Sequence, residues 1–205
     1  PATMRVNTCM EAVPLDETSQ KIIDAAMALV RDQGYAAMTT KEIARTAGVN
    51  ECTLFRKCKS KKDIVLQGVS QAGWRAGIAP EVFQNVTWSL QTDLEMFMRA
   101  YMERMTPDFV NLSIGLRAPQ IYTDTAPLIR EVPRTFLSAL TGYLNAMAEK
   151  GAIPQADFDT LALMFFASTF GYTFLRASFQ DTLSTVDADT YIANQVALFV
   201  LKLNG

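Results

Sequence analysis

Apolar residues recur at three- and four-residue intervals along most of the chain, the spacing that lines one face of a helix. Ile22, Ala25, Ala26, Leu29 and Val30 form the first stripe, which predicts a helix from Asp16 or Thr18 to Gln33. Ile43, Ala44 and Ala47 form a short second stripe, and Leu54 and Cys58 a third. A fourth helix is predicted from Lys61 to Ala76. After a boundary at Gly77 to Val86, five more follow. They cover Trp88 to Met105, a short piece opening at Pro107 with Phe109, Leu112 and Leu116 inside, then Pro127 to Lys150, Ala156 to Gln180, and Asp187 to Leu203. No run alternating apolar and polar residues between hairpin turns stands out. The pattern therefore predicts an all-α fold of about nine helices.

Polar residues between the second, third and fourth stripes supply stop and start signals. Thr39 with Glu42 three residues on can close a capping box. Gly48 tolerates the positive φ that ends a helix. Asn50 can cap the next helix, and Glu51 suits its positive end. Ser60 and Asp63 repeat the box for the fourth helix. Two short helices joined by a tight turn make a helix-turn-helix, whose second helix fits the DNA major groove.

Charge sharpens that reading. Between positions 39 and 63 seven cations face three acids, a local charge of +4 on a chain of net −2. A basic patch on an otherwise acidic protein aims phosphate attraction at one face.

These residues resemble the TetR-type transcriptional repressors. The likeness runs from about Thr18 to Leu66, through Gly34-Tyr35, Thr39-Thr40-Lys41-Glu42-Ile43-Ala44, Ala47-Gly48-Val49-Asn50, Thr53-Leu54-Phe55-Arg56-Lys57 and Ser60-Lys61-Lys62-Asp63-Ile64. The resemblance implies DNA contacts from Thr40, Lys41, Asn50, Glu51, Cys52, Thr53, Phe55, Arg56, Lys57 and Lys61. Thr40 and Lys61 would bond backbone phosphates, Glu51 and Cys52 would read base edges, and Thr53 would touch phosphate or base. The chain departs from the family at Cys52, usually Gly or Pro, and at Phe55, usually Tyr. It departs again at Lys57, usually His or Tyr, and at Cys58, usually Phe.

Residues 1–15 read as a flexible leader, and the resemblance implies a DNA-binding domain at 16–66 and a ligand-binding and dimerisation domain at 67–205. Aromatic and methionine side chains of the second part suit a small, mostly apolar effector. Phe97, Tyr101, Met105, Phe109, Arg117, Tyr122, Phe136 and Tyr143 are the candidate ligand-binding residues. The helix from 156 to 180 is apolar nearly all round and must be covered on all sides. A second copy of the chain is the natural cover. Phe166, Phe170 and Phe174 there, with Val196 and Phe199 on the last helix, are the candidate dimer contacts. A two-fold dimer would read a near-palindromic operator on double-stranded DNA.

Cys9, Cys52 and Cys58 make no disulfide framework, and no export signal is evident. The expected location is the cytoplasm. The longest uncharged stretch, Thr160 to Leu175, falls short of the roughly 18–20 residues of a membrane span. With no histidine and no glycine-rich phosphate loop, neither catalysis, a metal nor a cofactor is expected. Two alternatives remain. Cys52 and Cys58 would make a redox-responsive DNA-binding regulator, and an apolar-ligand carrier would bind ligand without a specific DNA complex.

Overall fold

The computed structural model describes residues 16–71 and 80–204. The leader with Cys9, residues 72–76 of the expected fourth helix and the start of the expected linker lie outside the described residues. Among the described residues the structure is all α: α1 Glu17–Ala37, α2 Thr40–Thr46, α3 Glu51–Lys57, α4 Lys61–Ser70, α5 Leu90–Arg104, α6 Pro107–Gly115, α7 Tyr122–Glu149, α8 Phe158–Phe179 and α9 Ala188–Asn204. Short 3-10 turns stand at Pro80–Phe83 and Gln180–Thr182.

The polar start signals work as their chemistry requires. Asp16 caps α1 by accepting from the Ser19 amide, and Asn50 caps α3 by accepting from the Thr53 amide at 2.7 Å. Thr39 and Glu42 form the reciprocal box at α2. At Gly48, φ is +68°, which any side chain would strain. The expected end of α1 is displaced. Gly34 breaks the helix at φ 80°, ψ 158°, and a last turn then carries buried Tyr35.

Two further boundaries differ from expectation. Trp88 sits at φ +64° and lies outside α5, because the Thr87 and Trp88 amides are both drawn to the Asp93 carboxylate. α7 begins at Tyr122, five residues before the expected Pro127, and runs on through Pro127 and Pro133. Its first turns are held by the Thr125 hydroxyl, which donates to the Leu116 carbonyl at 2.7 Å and reaches the Ile121 carbonyl at 3.2 Å. The helix expected to open at Pro127 thus starts a turn and a half earlier and is the longest among the described residues.

Two apolar cores result. One gathers Ile22, Ile23, Val30, Ile43, Leu54, Ile64 and Val69 from α1 to α4, and takes in Leu116 and Ile121 from beyond α6. The other gathers Leu94, Phe97, Met98, Tyr101, Phe136, Leu140, Phe165 and Val196 from α5, α7, α8 and α9. Phe109 of α6 packs against both. Each fully buried aliphatic or aromatic side chain contributes about 1.5–3 kcal/mol.

Candidate DNA-reading helix and effector cavity

The stripe that buries Leu54 decides what α3 exposes. Leu54 is fully buried and Cys58, just past the helix, nearly so. Cys52, Phe55 and Arg56 are exposed at i, i+3 and i+4, so they form one ridge, with exposed Glu51 at its start. Phe55 leaves half of its apolar surface in solvent, at 52% exposure. Lys41 is exposed on α2, while Thr40 and Thr53 are half-buried at the first turns of their helices.

Three of the candidate DNA contacts have other partners. The Asn50 side-chain oxygen is committed to the α3 cap. Lys57 pairs with Asp16 at 3.0 Å, which ties the end of α3 to the start of α1. Hydrogen bonds from Ser19 and Lys57 hold the Asp16 carboxyl at about 2. Lys61 departs furthest from the phosphate role. Its ammonium donates to the Tyr35 and Met38 carbonyls at 2.9 and 2.7 Å and lies 4.3 Å from the centre of the Tyr35 ring. It closes the open carbonyls at the end of α1, and burial pushes its pKa down.

A cavity of about 250 Å³ opens among α5, α6, α7 and α8. Five of the eight candidate ligand residues line it: Tyr101, Met105, Phe109, Arg117 and Tyr122. The other three do not. Phe97 and Phe136 are fully buried and packed, with both rings against Phe83 and the Phe136 ring also edge-on to Tyr101. Tyr143 gives its hydroxyl to Asp93 at 2.8 Å. Burial and that bond raise its pKa. Burial likewise raises the pKa of Tyr101. Among the described residues no three His, Cys, Asp or Glu side chains gather to hold a metal.

The comparisons with known proteins agree with this geometry. The uncharacterized HTH-type transcriptional regulator YvkB of Bacillus subtilis (strain 168) is 31% identical over 188 residues, 92% of this chain and 98% of its own length. The chain belongs to the TetR family of bacterial regulatory proteins. That family's model matches residues 22–67, the span of α1 to α4 that holds the helix-turn-helix. The HTH-type transcriptional regulator AlkX of Mycobacterium tuberculosis is 25% identical over 161 residues, 70% of this chain and 74% of its own. Among solved structures, the transcriptional regulator FadR of Bacillus subtilis in complex with stearoyl-CoA shares the fold, with a TM-score of 0.65, 20% identity, and 88% of this chain and 97% of that chain covered. This chain is thus a TetR-family transcriptional regulator.

On the outer side of this TetR-family regulator, α8 and α9 expose Leu163, Met164, Leu175, Phe179, Leu198 and Leu201 at 46–71%. By length and composition α8 is apolar enough to cross a membrane, yet its buried residues Phe158, Leu161, Ala162 and Phe165 belong to the body core. The candidate dimer residues fall unevenly on this face. Val196 is fully buried in the chain's own core and has no surface left to offer a partner. Phe199 packs edge-on against Phe165 at 5.1 Å and is partly buried. Phe166 and Phe170 turn toward the cavity and line it, and Phe174 stacks on Phe170 at 5.9 Å.

Sequence reasoning missed Asp93, which is fully buried and accepts four hydrogen bonds, from the Thr87 amide and hydroxyl, the Trp88 amide and the Tyr143 hydroxyl. The only sequence signal was an acid in the first turn of a helix behind Thr87 and Ser89. It also missed Arg130, which lines the cavity from α7. As for redox chemistry, Cys58 is buried and its thiol is pushed up, away from the reactive thiolate.

Proposed function

We propose that the chain is a homodimeric repressor of a near-palindromic operator, released by a small, mostly apolar effector. The observation that carries this reading is the exposed ridge of Cys52, Phe55 and Arg56 beside Glu51, on a helix fixed by Leu54 and the Asn50 cap. Glu51 and Cys52 read base edges, and Phe55 packs against sugar or a thymine methyl. Thr40, Lys41, Thr53 and Arg56 hold phosphates. Lys57 joins them by exchanging Asp16 for a phosphate. Residues 16–66 act as the DNA-binding domain and 67–205 as the effector and dimer domain, in the cytoplasm where the operator lies.

The second copy covers Leu163, Met164, Leu175, Leu198 and Leu201, apolar surface that a lone chain would leave in water. Tyr101, Met105, Phe109, Arg117 and Tyr122 receive the effector. A structural neighbour that holds stearoyl-CoA supports an apolar effector for a body of this shape. Binding favours a conformer whose recognition helices no longer match successive major grooves, about 34–36 Å apart.

The test is selection of duplexes from a random pool, followed by titration of the winner across salt. Enrichment of a near-palindrome bound well above random DNA supports the reading. A folded dimer that enriches no sequence in the absence of any bound ligand refutes it.

A further inference from the structure

We infer that the cavity takes a medium-chain monocarboxylate, with its head held by Arg117 and Arg130 and its tail among the aromatic side chains. The inference rests on the effector reading above and names the chemistry of that site. The inner wall is apolar, made of Tyr101, Met105, Phe109, Phe166 and Phe170. The two cations that line it, Arg117 and Arg130, are exposed, and among the described residues neither belongs to an ion pair. Arg130 spends its Nε on the Ala126 carbonyl at 3.3 Å, which steadies the side chain and leaves its terminal nitrogens to a ligand. Among the described residues no carboxylate lines the cavity. Two guanidinium groups at the rim of an apolar cleft select an anion, and their planar forks match a carboxylate.

Size sets the tail. A volume of about 250 Å³, at about 30 Å³ per first-row heavy atom, the share a water molecule takes in its liquid, holds about eight atoms. Charge sets the head. An open groove shares Arg130 and Pro133 with the cavity, and it brings Glu131 and Asp159 together with Arg134. Carboxylates there oppose a polyphosphate, so the site fits a free carboxylate better than a coenzyme-bearing thioester.

The experiment titrates the full chain with octanoate, octan-1-ol, octanoyl-coenzyme A and octadecanoate by calorimetry at fixed salt. Octanoate should bind about tenfold more tightly than octan-1-ol, the worth of charge-assisted hydrogen bonds at an open site. It should also bind more tightly than the thioester and the longer acid. In Arg117→Gln/Arg130→Gln the ratio of octanoate to octan-1-ol affinity should fall to about one. Arg117→Lys/Arg130→Lys should keep part of it. The readout is a ratio, so a general loosening of the cavity cancels. Equal binding of acid and alcohol, a ratio that survives the double Gln variant, tighter binding of the thioester, or no binding by any of the four would overturn the inference. Octanoate that binds as expected yet leaves the operator complex intact would instead refute the effector reading and keep the site. Release of the operator by an apolar compound outside this series, with octanoate unbound, would do the reverse.

Discussion

Replacing Tyr143 with Phe removes one oxygen from the core, and the loss should be large for so small a change. The ring remains, so no cavity opens and its packing against Phe97 and Trp88 is kept. What goes is one of four donors to Asp93, a carboxylate with no exposed surface. Such a charge is tolerated only while its lone pairs are filled. A hydrogen bond to a charged group is worth about 1.5–3 kcal/mol. At roughly 2–4 °C per kcal/mol for a chain of this size, Tyr143→Phe should lower Tm by about 3–12 °C. Thermal unfolding by circular dichroism reads this directly. The pKa of Tyr143 is raised, so its neutral form is the one the fold favours. That contribution is complete below the unfolded phenol value of about 10 and is lost as pH rises beyond it. Wild-type Tm should therefore fall steeply above pH about 10, and the variant should fall less, since one of the four raised phenols is gone while those of Tyr35, Tyr101 and Tyr191 remain. A Tm within about 1 °C of wild type would refute the argument. So would a variant of normal stability that no longer answers effector, because Tyr143 would then be a ligand contact after all.

Lys61→Ala should destabilise the chain by about 1–3 kcal/mol by uncovering the Tyr35 and Met38 carbonyls, seen as a lower urea midpoint; an unchanged midpoint with a flatter salt dependence of DNA binding would restore the phosphate role. Gly115→Ala would drive a methyl into the Val30 carbonyl oxygen, so α6 must move off α1 at a cost of about 1–3 kcal/mol; a variant as stable as wild type by thermal unfolding contradicts that seat. Leu198→Glu/Leu201→Glu, at two of the most exposed apolar positions of α9, should shift sedimentation from dimer to monomer and weaken operator binding steeply; a dimer unchanged in mass would move the interface elsewhere.

The head was legible because its signals are local. Caps at Thr39, Asn50 and Ser60 bond residues three positions away, and a stripe such as Ile43–Ala44–Ala47 carries its own period. The body was less so, because its decisive contacts are distant in sequence. Asp93 and Tyr143 are fifty residues apart. The start of α7 depends on Thr125 reaching back to Leu116. Lys61 looked like a free cation because nothing in the sequence tells that the α1 carbonyls stand above it. Aromatic and methionine content singled out Tyr101, Met105, Phe109 and Tyr122, which line a cavity. It could not separate Tyr101, which faces the opening, from Phe97 one turn earlier, which faces the core. Val196 failed for the same reason, since an apolar stripe on the last helix does not say which face its own chain has already claimed.

The cavity lies where it can act on the head without touching it. α6 forms one wall and seats on α1 through Gly115, with Arg31 of α1 paired to Asp108 at 3.0 Å. α7 forms another wall and meets α4, with Lys62 paired to Asp124 at 2.6 Å. Exposed pairs of this kind hold little energy, so they fix register more than they resist motion. The resistance comes from packing, and Phe109 is its centre, since one ring faces the cavity and packs on both cores. A ligand that widens the space between α6 and α7 must displace that ring. It must also move α1 relative to α4, or turn the four head helices together. In the proposed mechanism, both results change the attitude of α3. A shift from mostly DNA-competent to mostly released needs about 5.5 kcal/mol of differential binding. Burial of the seven-carbon tail of octanoate, at about 0.8 kcal/mol per carbon, can supply a difference of that order if the released conformer encloses the whole tail and the DNA-competent one does not. The effector's apolar length, more than its head, would then set how fully the operator is released.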